Sequence, residues 1–123
     1  MDKISIDDFH KVEIKIGEIK SAEKIEGSDK LLKLSVDFGE EKLRQVLSGI
    51  AKYVTAESLV GLKCPFITNL PIRVLMGLES QAMIMAASSD SGEFTLLKAD
   101  HKIPPGTKIK QFSAFLIQVR EKV

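Results

Sequence analysis

The chain has 123 residues, with 18 Lys and Arg against 17 Asp and Glu, and 44% of it is hydrophobic. That length suits one domain, residues 1–123, able to bury a core without disulfides or a structural metal. The balanced charge excludes a global basic field for nucleic acid, though not a patch on one face, and no apolar run reaches the roughly 18 residues of a membrane span.

The first residues lack a signal-peptide core, which with the missing span predicts a soluble, cytoplasmic protein and no membrane partner. Ser5 caps one helical turn, with Asp7 and Asp8 at its positive end. Val12, Ile14 and Ile16 alternate with Glu13 and Lys15 as a half-buried strand, and the phase slips after Gly17, which predicts a bulge or bend there. After turn chemistry at residues 26–29, Leu32, Leu34, Val36 and Phe38 form a second strand, and residues 43–47 a third. Thr55, Glu57 and Gly61 mark a short helix over residues 55–60. Residues 63–68 read as a fourth strand, 83–87 as a fifth, and 93–97 as a further one beyond the Ser- and Gly-rich loop 88–92. Pro105 and Gly106 fit the centre of a type II turn, and residues 108–119 form an apolar, β-like end.

Short strands with one helix between the third and fourth predict an all-β, five-stranded, partly open barrel of the OB type, with short N- and C-terminal extensions. Residues 110–123 are the C-terminal extension, a candidate to seal an edge strand or a dimer seam.

Catalysis finds no support. His10 and His101 sit apart among charged residues, and Cys64 has no histidine within thirty residues, so no metal ligands cluster. Cys64 lies in the apolar run Cys64-Pro65-Phe66-Ile67 and is expected to be a buried, inert thiol. There is no nucleophile elbow or phosphate-binding glycine loop. The adjacent pairs Asp7-Asp8 and Glu40-Glu41 are expected to be solvated surface. No cofactor is implied. A base-stacking platform is poorly supported, since the chain has no Trp, one Tyr and six Phe, most of these in core phases. Recognition of folded RNA by backbone and shape needs cations more than rings, and the candidates are Lys15, Lys20, Lys24, Lys30, Lys33, Arg44, Lys52 and Arg73.

Four segments occur in a telling order: SDKLLKLSVDFGEE (residues 28–41), RQVLSGIAKYVTAESLVG (44–61), NLPIRVLMGLESQAM (69–83) and IPPGTKI (103–109). Together they resemble the tRNA-binding domain found at the C-terminus of many methionyl-tRNA synthetases, and the similar free-standing dimeric tRNA-binding proteins. The resemblance runs from about residue 5 to 109. It implies an OB barrel, no catalysis and structure-specific tRNA binding near the outside of the elbow. The implied partners are tRNA, a second copy of the chain, and a methionyl-tRNA synthetase, in trans or as its C-terminal module. A bacterial export-related chaperone shares the domain, which implies the alternative of a groove for peptides.

Carried onto this chain, the resemblance puts Ser80 and Met83 in the groove, flanked by Asn69, Arg73 and Gln81. Lys30 and Arg44 match polar or basic positions of the family's sheet face, and Lys33 and Lys52 join the tRNA-binding set from the candidate cations. Ala82 stands where the family usually has glycine, and Met76 and Ile72 stand where many members have cations. The groove is therefore expected to be less positive than usual. On this reading Arg73→Ala and Ser80→Ala weaken tRNA binding with little effect on stability.

Overall fold

Burial follows the alternation of the sequence. Leu32, Leu34 and Val36 are closed off from solvent while Lys33, Ser35 and Asp37 are only partly covered, so the segment pleats as a strand with one face inward. The computed structural model describes residues 1–110. Its elements are α1 (Ile6–His10), β1 (Ile14–Lys24), β2 (Leu32–Asp37), β3 (Arg44–Ser48), α2 (Ala56–Leu59), β4 (Lys63–Ile67), β5 (Arg73–Leu75), β6 (Leu78–Ser80), β7 (Met83–Ile84), β8 (Ala86–Ser88) and β9 (Phe94–Leu96). Both predicted caps form: Ser5 Oγ accepts from Asp8 N, and Thr55 Oγ1 from Ser58 N.

The sheet order β3-β2-β1-β4-β7, with α2 between β3 and β4, is the expected barrel, nearly closed. Strand β1 makes this possible by serving two neighbours. Its first half pairs with β4 and its second half with β2, and Glu18 belongs to both ladders. The predicted irregularity is present but displaced: the register shifts between Ile19 and Ser21, leaving Lys20 as the extra residue. Gly17 has a different reason to be glycine. A Cβ there would come within 2.5 Å of Val36 Cγ1 and 2.6 Å of the Phe38 ring, so these two core side chains pack directly onto its α-carbon.

The core packs Ile19, Leu34, Val36, Val46, Leu59 and Phe66 around the barrel axis, with Phe38 edge-on to Phe66 at 5.2 Å. Cys64 lies among them, and burial pushes its thiol up to about 11, so it stays protonated at neutral pH. The Pro104–Thr107 turn closes as read, Thr107 N donating to Pro104 O around Gly106 at φ +88°. It returns the chain to β1, where Ile16 N donates to Thr107 O and Ile109 N to Ile14 O.

Two expectations need correction. Residues 83–87 are not one strand: β7 pairs with β4 in the barrel, whereas β8 leaves it to form a hairpin with β9. Residues 69–76, expected as a plain exit from the fourth strand, and 77–81, expected as a bend into the fifth, are not connections alone. β5 and β6 form a second hairpin, joined by Met76 and Gly77, both at positive φ as a tight I′-type turn demands. Apart from Lys110, the predicted extension 110–123 lies outside the described residues.

Candidate nucleic-acid interface

Among the described residues the open barrel leaves β3 with one edge that pairs with no other strand of the sheet, and its N–H groups need acceptors. The polar triplet Glu79-Ser80-Gln81 supplies them. Leu47 N donates to Ser80 Oγ at 3.0 Å and Gln45 N to Gln81 Oε1 at 2.9 Å. In return Gln81 N donates to Gln45 O, and Gln45 Nε2 to Glu79 O. Side chains thus stand in for a missing backbone ladder and hold β6 against β3. Ser80 is only 8% exposed. Its hydroxyl is spent on this closure and on Ala82 O, which overturns the expectation that Ser80→Ala spares stability.

Arg44 is likewise committed. Its Nε and Nη2 grip Glu40 at 2.8 and 2.7 Å, and Nη1 donates to Thr68 O and Gln81 O. The guanidinium also lies 5.4 Å from the centre of the Phe38 ring. Glu40 and Glu41 are exposed as expected, but the hydrogen bonds from Arg44 hold the Glu40 carboxyl below its ordinary value. Beside it, Thr68 Oγ1 donates to Glu13 at 2.7 Å and lowers that carboxyl too. Asn69 ties the chain entry to the end of β4: Glu13 N donates to its Oδ1, and its Nδ2 donates to Lys11 O.

Arg73, Ser80 and Met83 come together around a cleft of about 90 Å³, with Leu47, Leu70 and Ala82 among its walls. Arg73 is exposed and makes no side-chain hydrogen bond or ion pair to any described residue. Lys30 and Lys52 lie elsewhere but beside each other, because Ala51 N donates to Lys30 O and so joins the β1–β2 loop to the turn after β3. Lys33 is on β2, paired across to Glu23 on β1 at 2.7 Å. The two groups meet at a rim: a Cβ on Gly27 in the β1–β2 loop would sit 3.5 Å from Met76 Cε at the β5–β6 tip. Barrels of this type use the face of their second and third strands, between two such loops, to bind oligonucleotides or oligosaccharides.

Sequence reasoning missed Gln45 and Thr68, whose roles depend on contacts more than 20 residues away along the chain. It also missed that Ile72 and Val74 lie exposed, at 55% and 64%, beside Met76 at the tip of the β5–β6 hairpin and Met83 on β7.

The family model described as a putative tRNA binding domain matches residues 14–108. A methionine–tRNA ligase from Caldanaerobacter subterraneus subsp. tengcongensis is 48% identical over 109 residues, which cover 89% of this chain and 17% of that ligase. This chain thus spans about a sixth of the length of such relatives. Among solved structures, a MetRS-related protein from Pyrococcus horikoshii superposes with TM-score 0.85 at 36% identity, covering 89% of this chain and all of that one. The chaperone CsaA from Bacillus anthracis superposes with TM-score 0.79 at 27% identity, again over 89% of this chain and all of the other.

Proposed function

The chain belongs to the putative tRNA-binding domain family, and from that premise we propose that it binds tRNA by shape and charge, without catalysis. The match over residues 14–108 carries the reading. The interface is the β2–β3 face with the β1–β2 loop and the β5–β6 hairpin as its walls. Lys30, Lys33, Lys52 and Arg73 take phosphates there. Arg44, Asn69, Ser80 and Gln81 hold the walls in register, and Met83 lines the cleft. The module works in the cytoplasm as a homodimer, alongside a methionyl-tRNA synthetase or as its C-terminal part, and raises the local concentration of tRNA at the catalytic partner.

The decisive measurement is retention of labelled bulk tRNA as salt is raised. Each neutralised phosphate releases counterions, so the logarithm of affinity should fall linearly with the logarithm of salt, at a slope of roughly −0.9 per phosphate contact on a duplex. Failure to bind at low ionic strength, or binding without that slope, sinks the proposal.

A second reading is favoured by the half-exposed Ile72, Val74, Met76 and Met83 and by the likeness to the CsaA chaperone. Here the hairpin takes apolar peptides in an export-related role, methionines adapting to varied ligands. Peptide binding that resists salt would select it over the first.

A further inference from the structure

The turn between β3 and α2 fixes one aromatic ring in an unusual position. Tyr53 N and Val54 N both donate to Ile50 O, folding the chain back. Tyr53 thereby stacks on Phe94 at the start of β9, centroids 4.4 Å apart and planes 11° from parallel. Phe94 packs on the core from its other side. Tyr53 stays 55% exposed; one face rests on Phe94, so its opposite face is the one offered to solvent. A leucine would shield Phe94 from water equally well, but would not present a second flat π-surface parallel to the first.

The surroundings suit a nucleotide. A cleft of about 250 Å³ beside the pair has Val54, Thr95, Leu96 and Lys98 in its walls and no carboxylate among them. Lys98 and Lys52 are both exposed, and neither makes an ion pair among the described residues. A rigid ring with flanking cations is what an unpaired nucleotide needs, since every base has a π-face and every linkage a phosphate.

We propose that Tyr53, backed by Phe94, is a stacking platform for one unpaired base of a bound RNA, with Lys52 and Lys98 taking the adjoining phosphates. The inference rests on the RNA-binding reading, yet none of these residues lines the cleft at the β5–β6 hairpin. It adds a contact with single-stranded RNA to an interface that otherwise reads backbone shape.

The chain carries its own reporter, because Tyr53 is the sole tyrosine and there is no tryptophan. Hexaadenylate RNA titrated into the full chain should quench tyrosine emission, while an abasic strand of the same length should not. By filter retention, Tyr53→Leu should weaken hexaadenylate binding about tenfold, and Tyr53→Phe should stay within about twofold of the parent. Equal quenching by the abasic strand, no quenching by bound hexaadenylate, or parental affinity in a folded Tyr53→Leu chain would overturn the platform. Bulk tRNA that binds with Tyr53 emission unchanged would also overturn it and leave the tRNA reading standing. If tRNA fails to bind, the tRNA reading falls, and the contrast between hexaadenylate and the abasic strand still decides the platform.

Discussion

Ser80 and Arg73 face the same cleft, but their side chains do different work. Removing the Ser80 hydroxyl strands the N–H of Leu47, itself only 7% exposed, and an orphaned buried donor costs about 1–3 kcal/mol. Ser80→Ala should therefore lower the melting temperature by several degrees, read by thermal circular dichroism. Arg73→Ala strands nothing among the described residues, so its melting curve should match the parent. Its effect should appear in tRNA binding, with the salt slope shallower by about one unit. The carboxyls of Glu40 and Glu13 add a pH signature. Both are held below the ordinary 4.5, Glu40 by hydrogen bonds from Arg44 and Glu13 by that from Thr68. A carboxyl depressed in the folded state stabilises above its unfolded value, and that contribution is lost as pH falls through the folded one. Stability should therefore drop below about pH 4.5. Glu40→Gln should be less stable at pH 7 and should lose less on acidification, as melting temperatures at pH 7 and pH 3 would show.

At the scale of elements, the β5–β6 hairpin is the place where local preference and structure disagree. Met76 sits at φ 53° in the first turn position, a left-handed conformation that asparagine tolerates far better than methionine. Met76→Asn creates the Asn-Gly turn preferred there, and relief of that strain should stabilise by about 0.5–1 kcal/mol. The same variant removes an exposed apolar group from the hairpin tip. If the tip serves apolar peptides, peptide affinity should fall while stability rises; an unchanged or lower melting temperature would refute the strain argument. This hairpin also explains where sequence patterning ran out. β1, β2, β4 and α2 were legible because a buried face imposes its period locally: alternation at Leu32-Leu34-Val36, and the Thr55 cap. β5 is three residues long with Arg73 and Val74 exposed, so no buried face imprints a period on it. Its partner β6 exists to meet β3, more than 30 residues earlier along the chain, and no local pattern encodes that. The bulge was misplaced for a related reason. Gly17 marks the phase break in the sequence, but its absent side chain serves the approach of Val36 and Phe38, and the extra residue is taken up at Lys20.

At the scale of the molecule, the polar latch and the apolar surface belong to one problem. A barrel of five short strands closes its last gap with Ser80 and Gln81 side chains, and so buries little apolar area on the hairpin that carries them. The consequence is a set of exposed apolar side chains, Leu70, Ile72, Val74, Met76 and Met83. A second apolar region lies around α1, where Phe9, Val12 and Ile109 are exposed beside a cleft of about 530 Å³. A monomer scatters its exposed apolar residues, whereas clustering marks surfaces that meet something. The α1 region is bounded by Lys108 and Lys110 and shares no lining residue with the cleft at Arg73, so a second copy could cover it and leave that cleft open on each chain. Sedimentation equilibrium at micromolar concentration should therefore give twice the chain mass of 13.6 kDa. Phe9→Asp and Ile109→Asp should each shift it toward one chain while the barrel still melts cooperatively. A parent that sediments at one chain mass would refute the dimer and leave these apolar residues to another partner.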